Sequence, residues 1–279
     1  MTPLLFTLAV AAISFGGGLV GSLVGVGGGI VVVPALTLLF GIDIREAVAA
    51  SIVAVIATSC GAGAAYVRER VTNLRLGMLL EITTVLGALS GAWLTLFVSG
   101  RGLFLLFGVV MTYTAWSMTR PKRTRGAATA APADPLADRL ALHAAYYDKA
   151  EGREIAYRVT RTKTGLAVSY LAGVVSALLG VGGGIFKVPA MNLAMGLPIK
   201  VCTATSNFMI GVTAAASAAV YFSRGETNPF IVAPVAVGVL LGAKTGSRLL
   251  GRLRGDVVRI AFVTVLLASA AQMLWKGIR

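Results

Sequence analysis

Charge is scarce in this chain of 279 residues, with Asp, Glu, Lys and Arg together making only 13%. Soluble domains carry about 25% charged residues, so a water-soluble globular class is excluded at the outset. Acid–base side chains are scarcer still. The one histidine, His143, falls in a polar stretch, and no Ser/His or Cys/His pair, HExxH motif or Walker loop occurs in the apolar part. Hydrolase and ATP-driven pump chemistries therefore lack their parts. Two cysteines, Cys60 and Cys202, lie inside apolar segments without a neighbouring His or Cys, so each is expected to be a core thiol rather than a metal ligand. The sequence thus calls for no metal, no cofactor and no enzyme. Acidic residues number 11 against 25 basic ones, a formal charge of +14. The basic residues stand at the ends of apolar segments rather than in one stripe interleaved with aromatics, which argues for membrane topology and against a nucleic-acid partner.

What is abundant is apolar surface: 57% of residues are hydrophobic and mean hydropathy is +0.84. Runs long enough to cross a bilayer, about 20 residues each, recur at 46–67, 76–98, 102–119, 201–222, 229–247 and 257–275. The first apolar stretch, Leu4 to Val24, lacks a basic start and continues apolar and Gly-rich to Phe40, so it reads as retained structure rather than a signal peptide.

The chain repeats itself. Gly25-Val-Gly-Gly-Gly29-Ile-Val-Val-Val-Pro34-Ala35 returns as Gly180-Val-Gly-Gly-Gly184-Ile-Phe-Lys-Val-Pro189-Ala190, an offset of 155 residues. The same offset pairs Gly41 with Gly196, Ser51 with Ser206, Tyr66 with Tyr221, Asn73 with Asn228, Gly87 with Gly242 and Gly91 with Gly246. Register kept without a gap over that distance is the mark of a duplicated unit. The expected organisation is a first transmembrane repeat over 1–119, a linker over 120–163 and a second repeat over 164–279. The linker opens on Arg120, Lys122, Arg123 and Arg125 and is Pro/Ala-rich from Ala127 to Pro135. Asp134-Pro135 can start a short helix reaching Leu142. Tyr146 to Lys149 and Glu154 to Val159 around Ala-Glu-Gly-Arg predict a β-hairpin.

Basic residues set the expected sidedness. Arg68, Arg70 and Arg75, the linker, and Arg248, Arg252, Arg254 and Arg259 mark three cytoplasmic loops. The opposite loops carry only Arg45, Arg101 and Arg224. Both termini then lie outside the cytoplasm, each copy makes an odd number of crossings, and the second copy is inverted. Inverted repeats are common in secondary transporters; a four-plus-four count would make them parallel instead. The expected fold is an all-α polytopic membrane protein of two homologous, inverted repeats with a small cytoplasmic linker.

Each copy also contains a break. After Gly-Val-Gly-Gly-Gly comes an apolar run of only about 11 residues, Ile30 to Phe40 or Ile185 to Met195, which as a helix covers roughly 16 Å, near half the hydrocarbon thickness. A glycine turn deep in the protein followed by a short returning helix fits this pattern, because non-helical backbone at that depth must be buried in protein or line a cavity. The free N–H groups starting at Gly29/Ile30 and Gly184/Ile185 carry a partial positive charge. Gly27, Gly28, Gly29, Gly182, Gly183 and Gly184 are accordingly candidates for anion binding, the plainer alternative being close helix packing. Gly87/Gly91 and Gly242/Gly246 are assigned to packing.

Charged residues inside apolar segments are Glu81, Lys187 and Lys244, and such residues are functional candidates. Lys187 lies three residues after Gly184, where the first copy has Val32, and is expected to contact an anion unless it snorkels to the interface. Lys244, a turn from Arg248, is expected to snorkel. Glu81 either pairs with a basic neighbour such as Arg75 or carries a proton. Ser51, Thr203, Ser206 and Asn207 could complete an anion's shell by donating hydrogen bonds, although hydroxyls in helices often bond their own backbone.

The doubled Gly-Val-Gly-Gly-Gly-x(4)-Pro motif, Thr203 to Asn207 after its second copy, and the basic central linker together resemble the sulfite exporter TauE/SafE family over nearly the whole chain. The resemblance implies a bacterial inner-membrane permease that moves sulfite, sulfoacetate or a related organosulfonate outward. The glycine breaks and the inverted repeats lead to the expectation that the anion is held near the midplane between the two turns and released by alternating access. A passive anion channel and a membrane scaffold docking through the hairpin are the alternatives.

Overall fold

The computed structural model describes residues 3–24, 27–119, 134–148, 152–225, 227–249 and 255–278. Helices dominate. The first half contains α1 (Pro3–Val24), α2 (Gly29–Leu39), α3 (Ile44–Thr58), a π-helical turn Ser59–Gly63 leading into α4 (Ala64–Arg68), α5 (Leu74–Leu94) and α6 (Gly100–Thr119). A short helix α7 (Pro135–Arg139) and a hairpin of β1 (Ala144–Asp148) and β2 (Arg153–Tyr157) follow. The second half contains α8 (Thr162–Leu179), α9 (Gly184–Pro189) running into a π-helical turn Ala190–Ala194, α10 (Ile199–Ser223), α11 (Pro229–Leu249) and α12 (Gly255–Ile278).

Local chemistry sets the boundaries. Gly28 O accepts from the N–H groups of Val31 and Val32 to open α2, and Gly183 O does the same for Phe186 and Lys187 in α9. Both segments close alike: Ile42 N bonds Leu36 O after Gly41 at φ 66°, and Leu197 N bonds Met191 O after Gly196 at φ 79°. Positive φ is cheap only for glycine. Asp43 and Asn73 cap α3 and α5 by accepting from Arg45 N and Leu76 N. Offset by 155 residues, the starts of α2, α3, α5 and α6 fall on the starts of α9, α10, α11 and α12.

Packing follows the same pattern. The most extensive helix pairs are α1 with α11, α5 with α8, and α6 with α12, while α3 and α10 cross each other and α11 and α5 respectively. Glycine makes the closest of these approaches possible. A Cβ at Gly87 would overlap the Tyr170 carbonyl and one at Gly242 the Phe15 carbonyl, so these glycines are packing positions, as small residues are at helix interfaces in bilayers.

Polarity is arranged as lipid requires. Trp93, Trp116, Trp275 and Phe230 are exposed on the outside, whereas Ser51, Thr58, Glu81, Lys187, Thr205, Ser206, Asn207 and Thr213 are buried. Among the described residues, five helices are long and apolar enough to cross a membrane: Pro3–Ser22, Ile44–Arg68, Leu74–Leu94, Thr162–Leu179 and Pro229–Arg248. The expected runs 46–67, 76–98 and 229–247 fall on three of them. Thr162–Leu179 joins the five although it is not among the runs expected from the sequence. The runs 102–119, 201–222 and 257–275 form α6, α10 and α12; in α10 the buried Thr205, Ser206, Asn207, Thr213 and Ser217 interrupt the apolar run.

Outside the helical body, β1 and β2 pair antiparallel from Ala144↔Tyr157 to Asp148↔Arg153. The helix expected to reach Leu142 ends at Arg139, and the chain turns away through Ala141 at φ 49°. The hairpin is tied down on several sides. Asn73 Nδ2 donates to Leu142 O at 2.9 Å and Tyr157 Oη at 3.1 Å, and Lys200 Nζ reaches Asp148 Oδ1 at 2.6 Å. Asp134 caps α7 and accepts from Thr162 N and Oγ1 at 2.6 and 2.7 Å. Partial burial pushes the Asp134 carboxyl up, but the Thr162 N–H and hydroxyl outweigh it and hold the group below its ordinary value. The basic opening of the linker, Arg120 to Arg125, together with Ala127 to Ala133, and also Gly25, Arg252 and Arg254, lie outside the described residues.

One reading of the sequence is corrected. Cys202 is buried, but Cys60 is exposed: it stands in the π-helical turn Ser59–Gly63, whose buried residues are Ser59, Ala62 and Gly63.

Candidate functional site

Two of the three charged residues inside apolar segments meet. Glu81 sits on the buried face of α5 with Leu76, Gly77, Leu80 and Thr84. Lys187 is one turn into α9, in a register set by Gly183 at φ 68°. The Lys187 Nζ lies 3.5 Å from Glu81 Oε2 and 3.1 Å from Thr213 Oγ1. Thr213, on α10, closes the triangle by donating to Glu81 Oε1 at 2.5 Å, with Met209 O at 3.2 Å as its other acceptor. The Lys187 side chain is 0% exposed and that of Glu81 7%. Lys187 therefore does not snorkel, and Glu81 finds its partner 106 residues away rather than at Arg75. The third charge, Lys244, is exposed.

The pair is stable at this depth because each charge cancels the other; an isolated ion would cost several kcal/mol. Thr213 supplies a hydroxyl that accepts from the ammonium while donating to the carboxylate, so both ions are hydrogen-bonded. Such a centre can hold a proton on the carboxyl and can offer an ammonium to another anion.

The glycine turns lie beside one another. A Cβ on Gly29 would overlap Gly180 O, one on Gly180 would overlap Ser51 Oγ, and one on Gly27 would touch Val55 and Ile210. Ser51 Oγ is 2.9 Å from Gly180 O and 2.8 Å from Val48 O. The Gly28 N–H donates to Thr58 Oγ1 at 3.1 Å. The structure thus brings Gly27, Gly28, Gly29 and Ser51 together with Gly180, between α3 and α10. Gly182 and Gly183 take φ of 76° and 68° ahead of Gly184, and a Cβ on Gly183 would lie 2.9 Å from Ala172 O on α8.

On α10, Asn207 Nδ2 donates to Thr203 O at 3.0 Å, and Asn207 O accepts from Ser59 Oγ at 2.6 Å. Asn207 is 0% exposed, yet its Oδ1 has no protein partner. A buried amide oxygen left this way costs about 1–3 kcal/mol. Ser206 is buried and Thr203 half-buried. No group of three His, Cys, Asp or Glu suited to a metal occurs among the described residues.

Thr58 and Thr213 escaped the sequence reading although they stand 155 residues apart, the offset at which the glycine motif returns. The Glu81–Lys187 pairing left a signal too. At the same offset Lys187 faces Val32 and Glu81 faces Ala236, so two opposite charges each lack a counterpart, which is what a pair confined to one of two equivalent places would leave.

Comparison with known proteins is consistent across the chain. The family model described as "Sulfite exporter TauE/SafE" matches residues 10–273. The chain is 26% identical over 270 residues to "Probable membrane transporter protein YunE" of Bacillus subtilis (strain 168), covering 94% of each chain. It is also 26% identical over 267 residues to a "Probable membrane transporter protein" of Xylella fastidiosa (strain Temecula1 / ATCC 700964), covering 94% of this chain and 93% of the relative. No solved structure matches it.

Proposed function

Since the chain belongs to the sulfite exporter TauE/SafE family, we propose that it is a secondary transporter exporting sulfite or a small organosulfonate such as sulfoacetate across the bacterial inner membrane. It is a membrane transporter rather than an enzyme. The observation that carries the anion reading is the wholly buried ammonium of Lys187, 3.5 Å from the carboxylate of Glu81 in a chain otherwise sparing of charge. In this reading the anion sits between the two glycine turns and Lys187. Ser51, Ser206, Thr203 and Asn207 orient it, and the unpartnered Asn207 Oδ1 is available to a protonated or hydrated ligand.

The repeats of this reading span 1–119 and 164–279, with the cytoplasmic linker 120–163 between them and both termini on the periplasmic side. The equal starts of equivalent helices support a duplicated unit. The reciprocal packing supports a two-fold relation: α1 on α11 is the counterpart of α5 on α8, and α6 meets its own equivalent α12. Tyr66 Oη on Ser22 O is likewise answered by Tyr221 Oη on Ala177 O. Rocking of one repeat against the other would expose the site to each side in turn.

The test is flux into and out of liposomes for sulfite, sulfoacetate and taurine, with chloride and acetate as controls. Selective sulfite or sulfonate flux, accelerated by unlabelled substrate preloaded on the opposite side, is the expected result. Flux without that acceleration identifies a channel, and absence of flux for every anion by folded protein removes the substrate assignment.

A further inference from the structure

We infer that the transported anion and the Glu81 carboxylate compete for the Lys187 ammonium, so that each monovalent anion bound is accompanied by one proton taken up on Glu81. This rests on the anion-carrier reading above and specifies its coupling and its preferred substrate charge.

The first ground is electroneutrality. As it stands, the centre holds one ammonium and one carboxylate, both closed to solvent. A monovalent anion entering against Lys187 leaves the centre with one negative charge in excess, which the apolar surroundings oppose. One proton on Glu81 restores zero. The anion's oxygen then accepts from Nζ in place of Oε2, and the neutral carboxyl keeps Thr213 as a hydrogen-bond partner through the same 2.5 Å contact. A divalent anion would need a second proton. The centre therefore selects hydrogensulfite over sulfite and a monovalent sulfonate over a divalent one, and takes sulfoacetate with its own carboxylate protonated.

The second ground is that packing does not require the pair. At the positions offset by 155 residues from Lys187 and Glu81 stand Val32 in the first half and Ala236 in the second, while the hydroxyl of Thr213 is retained as Thr58, bonded to Gly28 N. Apolar residues thus stand at both offset positions, and the ion pair is a chemical addition that the corresponding positions do without.

The third ground is isolation from other ionic partners. On α5, Arg75 donates to Ala141 O; on α8, Tyr170 donates to Ser90 and Lys163 is exposed. On α10, Lys200 pairs with Asp148, Cys202 points to Leu197 O, Tyr221 donates to Ala177 O, and Arg224 lies at the far end. From α6, Tyr113 stacks on Phe186 rather than on Lys187. Among the described residues, Lys187 is the one charge placed against Glu81, so a proton gained there is felt directly by Lys187.

The decisive measurement uses wild-type protein in lightly buffered detergent with a pH-indicator dye. Methanesulfonate is the probe because its own charge does not change near neutral pH; sulfite is run beside it with its buffering subtracted. Expected are about one proton taken up per anion bound and an affinity that rises about tenfold for each unit the pH falls. Glu81→Gln should bind without proton uptake and with a flat pH dependence, and wild-type flux in liposomes should ignore a potassium–valinomycin potential. Wild-type binding without proton uptake overturns the coupling and leaves the anion carrier standing. Failure of folded protein to bind methanesulfonate, sulfite or sulfoacetate overturns both.

Discussion

Removing one member of the buried pair should harm the protein far more than removing both. Lys187 and Glu81 side chains are 0% and 7% exposed, so solvent does not screen what remains after a single change. Lys187→Met leaves a carboxylate, and Glu81→Leu an ammonium, each in apolar surroundings, at a cost of about 3–5 kcal/mol apiece. In the double variant no charge remains, the volumes are nearly kept, and the Thr213 hydroxyl still has Met209 O at 3.2 Å. Replacing a whole buried pair in this way is close to neutral or stabilising. The cysteines provide the assay. Cys202 is buried and Cys60 exposed, so in a Cys60→Ala background a fluorogenic maleimide reports unfolding through Cys202. At about 2–4 °C per kcal/mol, each single variant should melt roughly 6–20 °C lower, while the double variant stays near the parent and transports no anion. A double variant as unstable as the worse single one would refute the reasoning, because it would show that the loss lies in packing and not in stranded charge.

Three further outcomes follow from the same geometry. Gly87→Ala and Gly242→Ala should each cost about 1–3 kcal/mol through collision with the Tyr170 and Phe15 carbonyls; unchanged melting would show that α5/α8 and α11/α1 do not approach so closely. Asp134 is held below its ordinary value, so its contribution is complete above the unfolded value of about 3.9 and is lost as pH falls through the lower folded value. Limited proteolysis should accordingly find the hairpin protected at pH 5, released in stronger acid, and released already at neutral pH in Asp134→Ala; release of the wild-type hairpin at pH 5 would contradict the assignment. Thr213→Val should shift the pH profile of anion binding while Thr58→Val, at the equivalent uncharged place, leaves that profile in position, as read by methanesulfonate titrations; equal shifts would remove Thr213 from the proton-holding centre.

Legibility in the sequence tracked range. Local signals were readable because they depend on neighbours a few residues away. Asp134 before Pro135, the hairpin around Gly152, and the short segments closing at Gly41 and Gly196 are of this kind. The partner of Glu81 was not readable, because it lies 106 residues away, and a hydropathy pattern gives depth but not azimuth. Cys60 misled for the same reason: an apolar run says that a thiol is in the membrane region and not which way it faces.

In the two-repeat carrier proposed above, a single charged centre bears on how one anion would be carried. Two copies of the pair would give two ammonium–carboxylate centres, and a ligand between them would be shared. Here Val32 of the first half and Ala236 of the second stand at the offset positions, while Thr58 accepts from the Gly28 N–H. The charge that attracts an anion and the carboxyl that yields to it therefore occur once, and on different halves: Lys187 in the second and Glu81 in the first. A displacement of one half against the other changes the 3.5 Å separation directly, whereas a pair contained within one half would ride along unchanged. In the proposed carrier, a pair placed across the two halves would make proton occupancy of Glu81 and the relative setting of the halves a single linked variable, which is what coupling a proton to an anion demands.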